Sequence, residues 1–580
     1  MIPKLTQLWH HLDRLQQRNV LLVLLLTPTG ALLEMISLGL IYPILNFVVS
    51  GEMPMALTEF LSAYGLNDKD QMAVYAVMFF AGSILFKNLI LTYLTYHINR
   101  RLYEVRRHVS SRLFCSYIGS DYSFFISNSS SEITKNLTSL VNSFNGYVLN
   151  PIGALLTEGF VLLAIVGLAL AIKPIDSLIL FTLILVPSLL YFEFTKTRLR
   201  RQGRISQESE SLRIKTTNEM VGGIRDIRLL DKSGYFIDQY HIFDNQVIRA
   251  SLISTFLSQS SKYVLESVLI VAIATLVFMQ YLGGKAFIEL IPALGFYALA
   301  GFRVIPSINR FINGLQGLKF GEAILDTVNQ EFKRNEKTPL RTNTKPPLLS
   351  FEEGIRIEGV AFRYQPRLPY IFKNLNLEIK KGDSVGIYGE TGAGKSSFLN
   401  LVLGFLSPTT GTIKIDGHDI HQNKTALKHV LGYVPQDIFL LDDSIANNVA
   451  FGEVAGTLDR KRVRWALKEA QMEGFITKQK MGIDTHVGER GVRLSGGQKQ
   501  RLGIARALYF GANILVFDEA TSALDEATER AVMHNIAKLK NKYTLIVVAH
   551  RLSTLKVCER IYRLDVSGLV AADHKEIFGN

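Results

Sequence analysis

The sequence predicts a multi-domain chain: an all-α domain of six membrane-crossing helices, followed by an α/β phosphate-loop domain. Three observations predict it. Long apolar stretches crowd the first 310 residues and then stop. A polar segment with three prolines, EFKRNEKTPLRTNTKPPLLS (331–350), comes next and reads as a linker. Beyond it, a glycine-rich loop lies between a short apolar run and a helical one. The expected boundaries are 1–330, 331–350 and 351–580.

The six apolar stretches run over 21–49, 72–96, 148–172, 177–192, 263–282 and 287–308. Most approach the ~20 residues that a helix needs to cross a hydrocarbon core of ~30 Å. The fourth is short, so it is expected to extend through 173–176 or 193–196. Buried helices of a large soluble protein would not concentrate six such stretches in one half of the chain. A cleaved signal peptide does not describe the first stretch, which is too long and lacks a small-residue cleavage site after it.

Composition agrees with this division. Of the 580 residues 48% are apolar and 20% charged, with a mean hydropathy of +0.18. That excludes disorder as the main state. Two cysteines, Cys115 and Cys558, exclude a disulfide scaffold and a cysteine-rich metal site. The net charge of +13 raises a nucleic-acid reading, which depends on where the charge lies. Residues 97–147 and 194–262 carry eighteen Lys and Arg, against three in 50–71, 173–176 and 283–286. By the positive-inside rule the large loops and both termini are cytoplasmic. The charge then reads as membrane orientation, and no nucleic-acid partner is expected. The large loops also look helical, so the membrane helices should continue well beyond the bilayer.

Past the linker, short strand-like runs alternate with helical ones: SVGIYG (384–389), ILVFD (514–518) and TLIVVA (544–549). That is the pattern of a mostly parallel sheet. GETGAGKSS comprises Gly389, Glu390, Thr391, Gly392, Ala393, Gly394, Lys395, Ser396 and Ser397. It matches G-x-x-x-x-G-K-[ST] in the required strand–loop–helix setting. Backbone N–H groups close on phosphate oxygens, and the helix start adds positive potential. Lys395 is expected on the β- and γ-phosphates and Ser396 on Mg2+. ILVFDEATSALD (514–525) ends an apolar strand with Asp518, a second Mg2+ carboxylate. Glu519 is the candidate to polarise the attacking water. Leu494, Ser495, Gly496, Gly497 and Gln498 open a further helix with an anion-ready N-terminus. A second phosphate-grade helix start suits a nucleotide held by another copy.

With these motifs in view, 351–580 resembles the ATP-binding domain of ABC transporters over its whole length. The resemblance implies ATP and Mg2+ as cofactors. It implies adenine stacking on Tyr364, a Q-loop glutamine at Gln436 that senses Mg2+, an exporter-type X-loop over 485–491, a D-loop over 522–525 that includes Asp525, and a γ-phosphate contact from His550. It also implies two chains closing head to tail around two ATP molecules, most simply a homodimer.

The membrane half resembles the exporter type, with docking segments expected near 121–125 and 229–235. Glu34, Lys87, Glu158, Glu266, Glu289, Arg303 and Arg310 lie inside or near apolar stretches, where ionisable groups face a cavity or a partner. Lys87, Arg303 and Arg310 suit an anionic substrate carrying phosphate or pyrophosphate. The same bases can instead form interhelical ion pairs, and Arg310 can snorkel to the interface. GFRVIPSINRFINGL (301–315), SSSEITKNLTSLVNSF (129–144), GLIYPILNF and DIFLLDDSIANNVAFG (437–452) look like PglK-type flippases. That resemblance implies ATP-driven flipping of a lipid-linked oligosaccharide across the bacterial inner membrane. It also implies a short external helix over 53–66. Two alternatives stay open: an exporter of lipid, drug or peptide, and a non-transporting regulatory ATPase.

Overall fold

The computed structural model spans the 580 residues. It describes all of them except 51–68, 173, 284–286, 335–350, 423–428, 455, 520–525, 541, 574–576 and 579–580. For 37–50, 69–73, 76, 77, 172, 176, 180, 287–303 and 526–528 it describes the backbone only. The chain forms two compact units. One comprises Met1–Ser120 and Phe125–Thr342, the other Asp121–Phe124 and Asn343–Asn580.

The first unit is all helix. A short amphipathic helix, α1 (Ile2–His11), precedes α2 (Arg14–Ser50) and α3 (Lys69–Gly119). The short helices α4 (Tyr122–Ser127, of which Phe125–Ser127 belong to this unit), α5 (Ser130–Leu137) and α6 (Ser139–Phe144) lead into α7 (Asn150–Ile172) and α8 (Pro174–Gly222). Then come α9 (Ile224–Leu229), α10 (Ser233–Leu282), α11 (Phe287–Phe320) and α12 (Glu322–Arg334). Helices α3, α8 and α10 are 51, 49 and 50 residues long. At about 1.5 Å per residue each exceeds 70 Å, more than twice the hydrocarbon thickness. The large loops are therefore helical continuations, as their sequence suggested. The fourth apolar stretch extends on both sides within α8, so its shortness reflects where charge enters the helix and not where the helix ends.

Among the described residues five segments are long and apolar enough to cross a membrane: Arg14–Ile36, Met78–Gly119, Ser130–Ala171, Ser177–Gly222 and Ser233–Leu282. The sixth apolar stretch lies on α11. The segment 53–66, expected as an external helix, lies outside the described residues. Helix α12 runs to Arg334, four residues into the segment read as linker. Ile324, Leu325, Val328 and Phe332 bury one helical face there, so packing carries the helix past the predicted boundary.

Close helix contact depends on small residues. A Cβ on Gly203 of α8 would lie 1.9 Å from the carbonyl oxygen of Phe320 on α11. Only glycine permits that approach. Interhelical polar pairs add specificity: Arg213 to Asp244 at 2.6 Å between α8 and α10, and Lys4 to Glu322 at 2.9 Å between α1 and α12.

The second unit holds two sheets. Strands β1 (Gly354–Phe362), β2 (Phe372–Lys380), β4 (Thr410–Ile415) and β5 (His418–Asp419) form an antiparallel sheet in the order β2-β1-β4-β5. Strands β3 (Ser384–Tyr388), β6 (Leu431–Val434), β7 (Ile514–Asp518), β8 (Thr544–Val548), β9 (Arg560–Asp565) and β10 (Gly568–Ala572) form the other, ordered β10-β9-β3-β8-β7-β6. All its neighbours pair in parallel except β9 and β10. The parallel sheet was expected; the antiparallel one was not. The main helices of the unit are α13 (Lys395–Val402), α14 (Ile445–Val449), α15 (Arg460–Glu469), α16 (Gly496–Tyr509) and α17 (Glu526–Leu539). Successive residues of β7 enter opposite cores. Ile514 and Val516 join α13, whereas Leu515 and Phe517 join α16 and α17. Burial on both faces explains why β3, β7 and β8 read as continuous apolar runs.

Candidate functional site

The phosphate loop joins β3 to α13. Gly392 and Gly394 have φ of +89° and +92°, values that a side chain rarely adopts. A Cβ on Gly394 would lie 2.5 Å from Ile371 Cγ2 and 2.7 Å from the Phe372 ring. Gly389 passes close to the Leu564 carbonyl, where a Cβ would meet the oxygen at 2.6 Å. The loop therefore lies against the core as bare backbone at Gly389 and Gly394. Lys395 is buried, and its ammonium donates to the carbonyls of Gly389 (2.8 Å) and Glu390 (3.0 Å). Burial pushes its pKa down, opposed by the nearby carboxylates of Glu519 and Asp518. A triphosphate would supply the charge that this pocket favours. Ser396 is exposed at the first turn of α13. Thr391 is also exposed and Ala393 partly so. Ser397 is buried, and its hydroxyl pairs with that of Tyr364 at 2.9 Å. The Tyr364 ring is 45% exposed and stands edge-on to Phe362.

At the end of β7 two acids diverge. Asp518 points to the α13 side of the sheet. Burial raises its pKa, opposed by a hydrogen bond from the Tyr433 hydroxyl (3.1 Å). Glu519 has a φ of +45°, an uncommon conformation for a residue with a side chain. It is held from two sides: His550 Nε2 lies 3.0 Å from Oε1, and Gln436 Nε2 donates to Oε2 at 3.1 Å. Three residues far apart in sequence thus meet at one carboxylate. Asp518 and Ser396 offer the hard oxygen ligands that Mg2+ takes, so the donor set fits the expected cation. Among the described residues no cluster of His, Cys, Asp and Glu forms a separate metal site.

The helix start after Leu494 has its own geometry. Ser495 caps α16 by accepting from Gln498 N–H, while the Gln498 side chain accepts from Ser495 N–H at 2.9 Å. This capping box sets the backbone of Gly496 and Gly497 at the helix start. Leu494 and Gly496 share a cavity of about 580 Å³ with Gln436 and Glu519; the phosphate loop does not line it. Two residues missed in the sequence tie α16 to the Gln436 segment. Gln500 Nε2 donates to the Gln436 carbonyl at 2.9 Å. Arg506 donates to the carbonyls of Asn448 (2.9 Å) and Phe439 (3.0 Å). Burial lowers the Arg506 pKa to about 10. Asp525 lies outside the described residues.

In the membrane unit, Lys87 on α3 pairs with Glu34 on α2 at 3.2 Å. Arg310 on α11 pairs with Glu158 on α7. Both bases therefore have interhelical acidic partners, the alternative left open by the sequence. The side chain of Arg303 lies outside the described residues.

Two family models match this chain. The ABC transporter model covers residues 372–522, and the ABC transporter transmembrane region covers 36–310. The chain carries both domains of an ABC transporter. Its architecture is a helical membrane domain of the ABC exporter type followed by a phosphate-loop ATP-binding domain. The structure of a bacterial Atm1-family ABC exporter with ATP bound superposes with a TM-score of 0.79 at 23% identity, covering 97% of this chain and 96% of the other. That likeness concerns the fold. Among curated relatives, the leukotoxin translocation ATP-binding protein LktB of Mannheimia glucosida is 42% identical over 238 residues, 41% of this chain and 33% of the relative. The protein of the same name from Bibersteinia trehalosi is 41% identical over the same length and shares. The chain spans about a third of the length of the curated relatives it matches.

Proposed function

We propose that the protein is an ATP-driven translocase that works as a pair of identical chains and flips a lipid-linked oligosaccharide across the bacterial inner membrane. The observation that carries the ATPase reading is the carboxylate of Glu519, held between His550 and Gln436 beside Asp518 and the phosphate loop. Glu519 would accept the proton of the attacking water, and the two nitrogens fix its orientation for that transfer. His550 would also reach the γ-phosphate. The loop N–H groups and Lys395 would hold the β- and γ-phosphates. Bound Mg2+, held by Ser396 and Asp518, would neutralise charge on those phosphates.

Pairing of chains is supported by the second helix start. Among the described residues no hydrogen bond joins Ser495–Gln498 to the phosphate loop of the same chain. A capped N-terminus with bare glycines is then available to a nucleotide held by a second copy. ATP binding would close the two domains and hydrolysis would reopen them, driving the membrane domains between inward- and outward-facing states. Cytoplasmic termini follow from the loop charges.

The oligosaccharide reading rests on membrane-half resemblance and on bases in the apolar helices. Lys87 and Arg310 both have acidic neighbours, so these two bases are charge-balanced rather than a bare positive surface. A second reading, export of a polypeptide, is favoured by the curated relatives, which are leukotoxin translocation ATP-binding proteins. The test is ATP-dependent translocation in proteoliposomes of a labelled polyprenyl-pyrophosphate glycan, a phospholipid and a polypeptide, with Glu519→Gln as the control. Glycan movement that Glu519→Gln abolishes supports the proposal. Polypeptide movement without glycan movement replaces the cargo, and normal turnover by Glu519→Gln removes that residue as the base.

A further inference from the structure

We propose that Tyr433 is a positioning residue for the metal-binding carboxylate, holding Asp518 in the orientation that meets the cation beside the phosphate loop. The proposal rests on the reading of Asp518 as an Mg2+ ligand. Its basis is the register of two neighbouring strands. β6 runs parallel to β7, with Tyr433 beside Val516 and Val434 beside Phe517. Side chains alternate across a sheet, so Asp518, two residues past Val516, emerges on the same face as Val516. Tyr433 packs against the core on that face, which also holds Phe398, Leu399 and Val402 of α13. The phosphate-loop helix, the tyrosine and the acid thus share one side of the sheet.

From there the phenol reaches along the sheet to Asp518 Oδ2 at 3.1 Å. Among the described residues this is the only hydrogen bond to the Asp518 side chain. A carboxylate's terminal torsion is broad and nearly two-fold, so an unheld Asp518 would swing. The tyrosine ring has two torsions, both restricted by packing. Its O–H donates to one oxygen and leaves the other for a cation, without adding a competing charge. Outer-sphere donors of this kind commonly set metal affinity by orienting the ligand.

The test uses the full chain and three variants: Tyr433→Phe, Tyr433→Leu and Asp518→Asn. Mn2+ binding in the presence of ATP is followed by the electron paramagnetic resonance signal of free Mn2+. ATP binding is measured separately with chelator and no metal. Tyr433→Phe is expected to weaken Mn2+ binding about 10-fold, with metal-free ATP binding and melting temperature unchanged. The Mg2+ concentration that half-saturates hydrolysis rises by the same factor. Tyr433→Leu adds a loss of melting temperature, because it also removes the ring from the core. Unchanged Mn2+ affinity in Tyr433→Phe overturns the proposal. So does a fall in metal-free ATP binding and melting temperature in Tyr433→Phe, which would make the residue structural only. If Asp518→Asn keeps full Mn2+ affinity, Asp518 is not the ligand and the proposal falls with that reading. A wild-type chain that binds Mn2+ with ATP yet fails to hydrolyse it overturns the ATPase reading while the Tyr433 comparison still stands.

Discussion

The Lys87–Glu34 pair separates two roles for the basic residues of the membrane domain. The ammonium and carboxylate are 3.2 Å apart, with side-chain exposures of 12% and 8%. At an effective dielectric of about 20, unit charges at that distance attract by roughly 5 kcal/mol, before the cost of desolvating both. Removing one partner of a buried pair typically costs about 3–5 kcal/mol, whereas replacing both by neutral groups of similar size is close to neutral. Lys87→Met should therefore destabilise strongly, Glu34→Gln nearly as much, and the double variant should recover most of the loss. Thermal unfolding of the purified chain in lipid nanodiscs would read the cycle. The single effects should sum to at least about 2 kcal/mol more than the double effect, a coupling expected of residues in direct contact. Additive and small effects would refute the reasoning, because the pair would then contribute nothing. If Lys87→Met is as stable as wild type but no longer moves cargo, the lysine acts on substrate and not on Glu34.

Two further predictions follow from the geometry. Gly394→Ala would place a Cβ 2.5 Å from Ile371 at a φ of +92°. The left-handed backbone alone costs an alanine about 1–2 kcal/mol; ATP affinity measured by fluorescent-nucleotide displacement should fall about tenfold or more, and an unchanged affinity would show that the loop can relax. Glu331 is buried with Oε2 unpartnered among the described residues. Burial raises its pKa above 4.5, opposed by a Tyr117 hydrogen bond. A raised folded-state pKa means stability is greatest below 4.5 and falls as pH climbs towards the folded value. Glu331→Gln should remove that fall and raise the melting temperature at pH 7.5. A lower melting temperature across pH 5–8 would show that the charged carboxylate is stabilising.

Much of the ATP-binding half was legible because its chemistry is local. A phosphate loop needs glycines at fixed spacing, and GETGAGKSS shows them in nine residues. An acidic strand end needs an apolar run before it, and ILVFDE has one. Both features lie within one turn or strand, so short-range spacing records them. The long helices were legible for a similar reason, since lipid demands a continuous apolar run whatever packs beside it. Arg506 and Gln500 were not legible. They act by reaching backbone carbonyls more than 50 residues away, and any carbonyl looks like any other in a sequence. Tyr433 had one weak signal, its place on the strand that leads to Gln436, but a tyrosine in a strand is usually core.

By itself, then, the sequence determined the division into a membrane half and an ATP-binding half, and it singled out the candidate phosphate-loop and acidic-strand residues. Those follow from solvent partition and from backbone conformation, which act residue by residue. Tertiary structure alone decided that His550 and Gln436 converge on Glu519, that Tyr433 holds Asp518, and that Lys87 and Arg310 face carboxylates. Each of those is a contact between residues 31 to 152 positions apart. Such distances are set by sheet order and helix packing. A single sequence records which charges lie in the apolar helices, but the fold determines which opposite charge each one meets.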